Sequence, residues 1–152
     1  MIMKFRLFLI ACVTAGLMAC TPPTEIFEGL VVSNATVKAP MKGRNVTAGY
    51  FEITNHSDVD DALIDVSSLE AERVEMHKTE VVDNVSKMRR QVSIDIPAGE
   101  TVTFQPGGLH LMLFGVDFPE GTQDVTITLK FKHADAMTIV AELGGTENHA
   151  HH

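Results

Sequence analysis

Apolar and polar residues alternate along most of this chain with the period of two that belongs to β-strands. In Leu109-His110-Leu111-Met112-Leu113-Phe114 the leucines take every second place. Leu109, Leu111 and Leu113 therefore share a face directed at a core, with His110 and Met112 displayed on the other. Alternating or β-branched runs also fall at 29–37, 48–54, 62–69, 72–79, 86–94, 101–105, 125–132 and 137–142. Turn-forming residues separate them, among them Met41-Lys42-Gly43, Asn55 to Asp60, Asp83-Asn84, Pro97-Ala98-Gly99, Pro106-Gly107-Gly108 and Glu120-Gly121. No segment sustains a helical period and no internal repeat is present. Short strands at this spacing predict one all-β domain, an antiparallel sandwich or barrel.

The start of the chain departs from this pattern. Lys4 and Arg6 precede a short apolar run, Leu7 to Met18, with the layout of a secretory signal peptide. The run is short for a membrane span. Leu17-Met18-Ala19-Cys20 resembles a bacterial lipobox, in which the cysteine is lipidated and becomes the first residue of the mature protein. Thr-Pro-Pro-Thr at 21–24 then reads as a tether. The chain divides into a lipoprotein signal peptide (1–19), lipidated Cys20 with its linker (20–27), the β-domain (28–143) and a flexible His-containing tail (144–152).

Composition changes the picture mainly through cysteine. The two cysteines, Cys12 and Cys20, both lie in or at the leader, so the folded domain has no thiol. That excludes a disulfide framework, a cysteine zinc site and a blue-copper centre. The formal charge is −8, and loss of the two leader cations leaves −10. An acidic chain of this kind argues against nucleic acid as a partner.

The chemistry concentrates on two strands. His110 and Met112 stand about 7 Å apart along one strand face, by strand rise. In Arg73-Val74-Glu75-Met76-His77, His77 joins Arg73 and Glu75 on one face, while Val74 and Met76 take the other. If the chain reverses symmetrically about Val82-Asp83, His77 faces Met88 directly, with Cβ atoms on the order of 5 Å apart. Two strand pairs would then each offer one imidazole and one thioether. Thioether sulfur is soft and neutral and favours Cu(I), and imidazole suits copper in either oxidation state. Neither ligand forms a disulfide, so such a site survives in an oxidising compartment. Taken singly, each methionine reads more readily as core packing than as a ligand, and each histidine as a polar surface residue; only the joint arrangement points to a metal.

His77, Met88, His110 and Met112 are spaced H-x10-M-x21-H-x-M. With Ala48 to Asn55, Ala71 to His77, Lys87-Met88-Arg89, Ile96 to Gly99 and Pro106 to Leu113 around them, they resemble the periplasmic copper chaperones called PCuAC over roughly residues 28–142. The resemblance implies a cupredoxin-like β-sandwich, a non-catalytic monomer that binds Cu(I) through these four side chains. It implies delivery to a partner such as a Sco-type thiol protein or the CuA subunit of cytochrome oxidase, from a periplasmic position anchored to a membrane by lipid. The family often carries a Trp in its first strand, where this chain has Thr36.

Other candidates are weaker. His149, His151 and His152 offer imidazoles suited to Cu(II) or zinc, a possible second site or an incidental polar tail. His56 reads as a loop residue, His133 and Met137 as structural, and Met41 as a loop methionine. Two alternatives to a chaperone are a structural or assembly lipoprotein and a copper store without delivery. No nucleophile motif or paired carboxylates support an enzyme.

Overall fold

The structure, a computed structural model, describes residues 29–144. The leader, Cys20, the 20–27 linker and His149, His151 and His152 lie outside the described residues. Ten strands follow one another: β1 (Leu30–Val37), β2 (Val46–Asn55), β3 (Asp61–Ser68), β4 (Arg73–Val82), β5 (Val85–Gln91), β6 (Ile94–Ile96), β7 (Thr101–Phe104), β8 (Leu109–Phe114), β9 (Asp124–Phe131) and β10 (Met137–Leu143). They form one sheet ordered β5-β4-β8-β7-β2-β1-β10-β9-β3-β6, with β8 also paired to β2.

Period-two alternation explains which side of each strand is buried. Along β2, Thr47, Gly49, Phe51, Ile53 and Asn55 are buried in strict alternation with half-buried neighbours. Along β9, Val125, Ile127, Leu129 and Phe131 are buried in the same alternation, between half-buried or exposed neighbours. These inward faces meet in one core, where Leu111 and Leu113 are wholly buried and Phe51 stacks on Phe104 at 4.3 Å between ring centroids. Truncating either leucine to alanine would cost about 3 kcal/mol by transfer and cavity terms together.

Two pairings depart from the antiparallel expectation. β1 runs parallel to β10 through Thr36 and Val37, and β7 meets β8 in parallel at Phe104 and Leu109. The first follows from a bulge in β1. The register against β2 shifts between Ser33 and Thr36, where Asn34 takes a left-handed φ of 55°. A bulge adds local twist and bends its strand, and only the residues beyond this one reach β10.

The run expected at 86–94 divides in two. Gln91 is the last residue paired to β4, Val92 and Ser93 bend away, and Ile94-Asp95-Ile96 crosses to pair with β3 at the opposite end of the sheet. Ile94 and Ile96 are buried there, whereas the residues from Val85 to Arg90 are exposed. The core claims the isoleucines and leaves β5 outside.

Asn55 closes β2 with its side chain 1% exposed. Its Nδ2 donates to Val59 O (2.8 Å) and Ile96 O (3.1 Å), and its Oδ1 accepts from Ser57 N (3.0 Å) and Ser57 Oγ (2.7 Å). One buried amide thus holds the 55–60 turn to β6. Asn55→Ala would take a donor from Ile96 O and the acceptor from Ser57 N, while Val59 O keeps the Ser57 hydroxyl, and is expected to lower unfolding stability by about 3 kcal/mol in urea titrations. A loss below about 0.5 kcal/mol would show that water replaces the amide.

Candidate metal centre

The site lies on the outer face of β4, β5 and β8. In the β4–β8 ladder Lys78 faces Leu109, His77 faces His110, Glu75 faces Met112 and Arg73 faces Phe114. Since alternate residues share a face, Glu75, His77, His110 and Met112 stand together on the side away from Leu111 and Leu113. The two imidazole centroids are 5.9 Å apart and the rings tilted by 41°.

The expected His77–Met88 facing pair is corrected by the hairpin. Val82 pairs with Val85, so the two-residue turn is Asp83-Asn84, with φ of 53° and 61°. Positive φ at both central residues is the turn that matches strand twist, and Asp and Asn tolerate it better than most residues. Centring the reversal there moves the register by two positions: Arg90 stands opposite His77, and Met88 opposite Thr79. A shift of two keeps each residue on its face. Met88 therefore remains beside His77 on the same side of the sheet, as a diagonal neighbour.

A shallow open cleft on this face is lined by Met88, His110 and Met112 together with Ala48, Tyr50 and Thr79. Ala48 pairs with Met112 across β2 and β8, and its small side chain leaves room beside the thioether. The four expected residues differ greatly in exposure. His110 is 5% exposed, His77 and Met112 are half-buried, and Met88 on edge strand β5 is 62% exposed. Placing His110 on the face opposite the leucines is thus right, but the imidazole is buried there rather than displayed.

Burial makes the hydrogen bonds decisive. His110 Nδ1 lies 3.0 Å from Gly108 O. A carbonyl only accepts, so Nδ1 carries the proton and Nε2 keeps its lone pair. The same carbonyl accepts from Thr79 N at 3.0 Å, tying the Gly108 turn to β4. His77 Nε2 donates to Glu75 Oε2 at 2.9 Å, while His77 Nδ1 is buried with no hydrogen-bond partner. Glu75 is held in turn by Arg73 Nε at 3.0 Å and Arg90 Nε at 3.7 Å, both on Oε1. The hydrogen bond from His77 chiefly, with the charges of Arg90 and Arg73 added, outweighs desolvation and holds the Glu75 carboxyl below the ordinary glutamate range.

Other candidates stand apart from the cleft. His56 and His133 are exposed on loops, and Met41 is 75% exposed. Met76 is buried in the core and Met137 packs at its margin. Among the described residues no three His, Cys, Asp or Glu side chains converge as a metal site, so two imidazoles with thioethers beside them are the donor set that this face offers. Alternation sets Glu75 beside His77 without giving it a role; the signal that marks it is the Glu-x-His spacing, which puts a carboxylate next to an imidazole on one strand face.

Comparison with known proteins adds to this geometry. Residues 30–143 match the model of a family described as LpqE-like, "putative lipoprotein LpqE-like". A "putative lipoprotein", Lxx21020 of Leifsonia xyli subsp. xyli, is 28% identical over 154 residues, 92% of each chain. The copper-bound PCuAC domain from PmoF2 superposes with a TM-score of 0.62 at 28% identity, covering 75% of this chain and 91% of that domain. The Cu(I) form of DR1885 from Deinococcus radiodurans gives 0.57 at 28% identity, over 79% and 80%.

Because its folded-state value is depressed, Glu75 contributes stability that is complete above roughly pH 5 and is lost as the pH falls through and below the ordinary glutamate range. Urea unfolding of the metal-free protein is expected to show a steeper acid loss for the wild type than for Glu75→Gln. Parallel curves for the two proteins would show that the cluster carries no such linkage.

Proposed function

The chain belongs to the LpqE-like family of lipoproteins, whose PCuAC-type all-β fold it shares, and from that premise we propose that it is a periplasmic copper chaperone. It takes up Cu(I) through His77, Met88, His110 and Met112 while lipid on Cys20 holds it to a bacterial membrane. It then passes the ion to a thiol-bearing acceptor, such as a Sco-type protein or the CuA subunit of cytochrome oxidase. The observation that carries this reading is the unpartnered, buried Nδ1 of His77 beside the buried imidazole of His110, with two thioethers on the same sheet face. A buried polar nitrogen without a partner costs about 1–3 kcal/mol, a cost that a bound cation would remove.

The donor set fits the ion. Four neutral ligands leave a Cu(I) centre at a single positive charge, and soft sulfur favours Cu(I) over harder divalent ions. His110 and Met112 project from one rigid strand, whose opposite face is locked by Leu111 and Leu113. Met88 projects from an edge strand paired on one side only. A thiolate arriving from solvent therefore meets Met88 first. Exchange proceeds by sulfur replacing sulfur, with no change of oxidation state, and the imidazoles of His77 and His110 are released last.

The tail histidines, His149, His151 and His152, form on this reading a separate and weaker Cu(II) site.

Titration of the soluble domain, begun at Thr21 and ended before the tail, with Cu(I) against a competing chelator tests the assignment. One tight site is expected, weakened at least about tenfold, or 1.4 kcal/mol, by Met88→Leu or Met112→Leu. Failure to compete for copper, or indifference to both changes, would sink the proposal. Restoring the tail should add a Cu(II) site without altering the first. Mixing the loaded domain with a dithiol acceptor should empty it; retention of copper would identify a store.

A further inference from the structure

We infer that Glu75 is a positioning residue that makes the two histidines bind copper through different ring nitrogens, His77 through Nδ1 and His110 through Nε2. The inference rests on the copper reading above and adds to it which atoms face the ion and what holds them there.

The argument begins with what each ring nitrogen can do. A neutral imidazole has one N–H and one lone pair, and only the lone pair binds a metal. For His110 the backbone decides: Gly108 O, 3.0 Å from Nδ1, takes the proton-bearing side and leaves Nε2. For His77 a carboxylate decides. Glu75 Oε2 lies 2.9 Å from Nε2, and an ionised carboxylate can only accept. Nε2 is therefore the N–H, and Nδ1 is left with a lone pair in a buried place where no protein group hydrogen-bonds to it.

Glu75 is suited to this task because it is itself held. It shares a strand face with His77 two residues away, and its second oxygen, Oε1, engages Arg73 at 3.0 Å and Arg90 at 3.7 Å. Arg90 is in reach only because the Asp83-Asn84 turn sets it opposite His77. Two guanidinium groups lie against Oε1 and offset the carboxylate's charge, so it can orient the ring without competing as a ligand for the cation. A carboxylate or carbonyl behind a metal-binding histidine fixes ring and tautomer, and its loss typically weakens metal binding on the order of 10–100-fold. Here the two histidines use one device of each kind.

The opposite nitrogens also suit the geometry. The rings come from directly paired positions on adjacent strands, with centroids 5.9 Å apart. Nδ1 lies close to its own backbone and Nε2 at the far end of the ring, so a metal bound by one of each sits nearer the His77 main chain than the His110 main chain. Binding through both Nε2 atoms would require His77 to abandon Glu75.

The test uses the full-length chain labelled with 15N at histidine and observed by long-range 1H–15N correlation NMR, first without metal and then with Cu(I), and with Ag(I) as a second diamagnetic probe. The metal-free protein near pH 8 should show His77 protonated at Nε2 and His110 at Nδ1. Metal should shift Nδ1 of His77 and Nε2 of His110, with 15N–Ag coupling at the same two atoms. Glu75→Ala should mix the His77 tautomers and weaken Cu(I) binding about 10–100-fold. Glu75→Gln, whose amide oxygen still accepts from Nε2, should keep the tautomer and most of the affinity. A His77 protonated at Nδ1, metal coupled to His77 Nε2, or an Ala variant with unchanged tautomer and affinity would overturn the assignment and leave the copper reading standing. Absence of any metal-induced change at both histidines would overturn the copper reading, and the assignment with it.

Discussion

Two imidazoles meet across one antiparallel ladder because Lys78 faces Leu109 and Arg73 faces Phe114, which sets His77 against His110. Every other property of the site depends on that register. It is held from below, since Met76 and Leu111 face each other and are both buried, and a slip of one residue would turn them outward. Burial of large side chains at about 25 cal/mol per Å2 thus specifies a polar arrangement on the opposite surface. The core positions the histidines without touching them.

The polar network follows from the same ladder. Thr79 N and His110 Nδ1 converge on Gly108 O, while Glu75 gathers Arg73, Arg90 and His77. Salt bridges of exposed arginines are individually weak, and Arg73 and Arg90 are 59% and 64% exposed. Their value lies in geometry, since together they leave the carboxylate one orientation in which Oε2 faces His77. The one polar side-chain atom among the described residues that is buried without a partner is His77 Nδ1, beside this network. A folded chain rarely tolerates such an atom unless something else satisfies it.

Much of this was legible in the sequence because period-two alternation needs no knowledge of the rest of the fold. The all-β class, the inward leucines of β8 and the shared face of His110 and Met112 come from local pattern, and the likeness to PCuAC domains is upheld at 28% identity. Pairing was harder. The His77–Met88 register was read two positions off because the reversal was centred on Val82-Asp83, although Asp83-Asn84 is the pair that accepts positive φ. The face survived because the error was even. Local pattern did not reveal that 86–94 splits, since Ile94 and Ile96 continue the alternation of β5 yet pair with β3 at the far end of the sheet. Nor did it reveal that β1 joins β10 in parallel beyond the Asn34 bulge. Those pairings depend on contacts distant in sequence, where local preference carries little weight. Exposure was misjudged for the same reason: alternation gives the face of His110 but not its burial.

On the proposed copper reading, grip and release pull the site in opposite directions, and the exposure gradient across it answers both. His110, 5% exposed, and half-buried His77 are attached to strands paired on both sides, so their rings lose little further freedom on meeting an ion. Pre-paid order of that kind raises affinity. Met88 is 62% exposed on a strand with one free edge, and its flexible thioether can leave and return without disturbing the core. If all four side chains were as buried as His110, an incoming thiolate could gain access only by opening the sheet, at a cost set by global stability. If all were as exposed as Met88, ordering the ligands would consume the binding energy. On that reading, placing the soft Met88 thioether on the edge hairpin and the imidazoles on the central ladder separates the two demands, and the two-residue turn at Asp83-Asn84 is what hangs Met88 beside the pair.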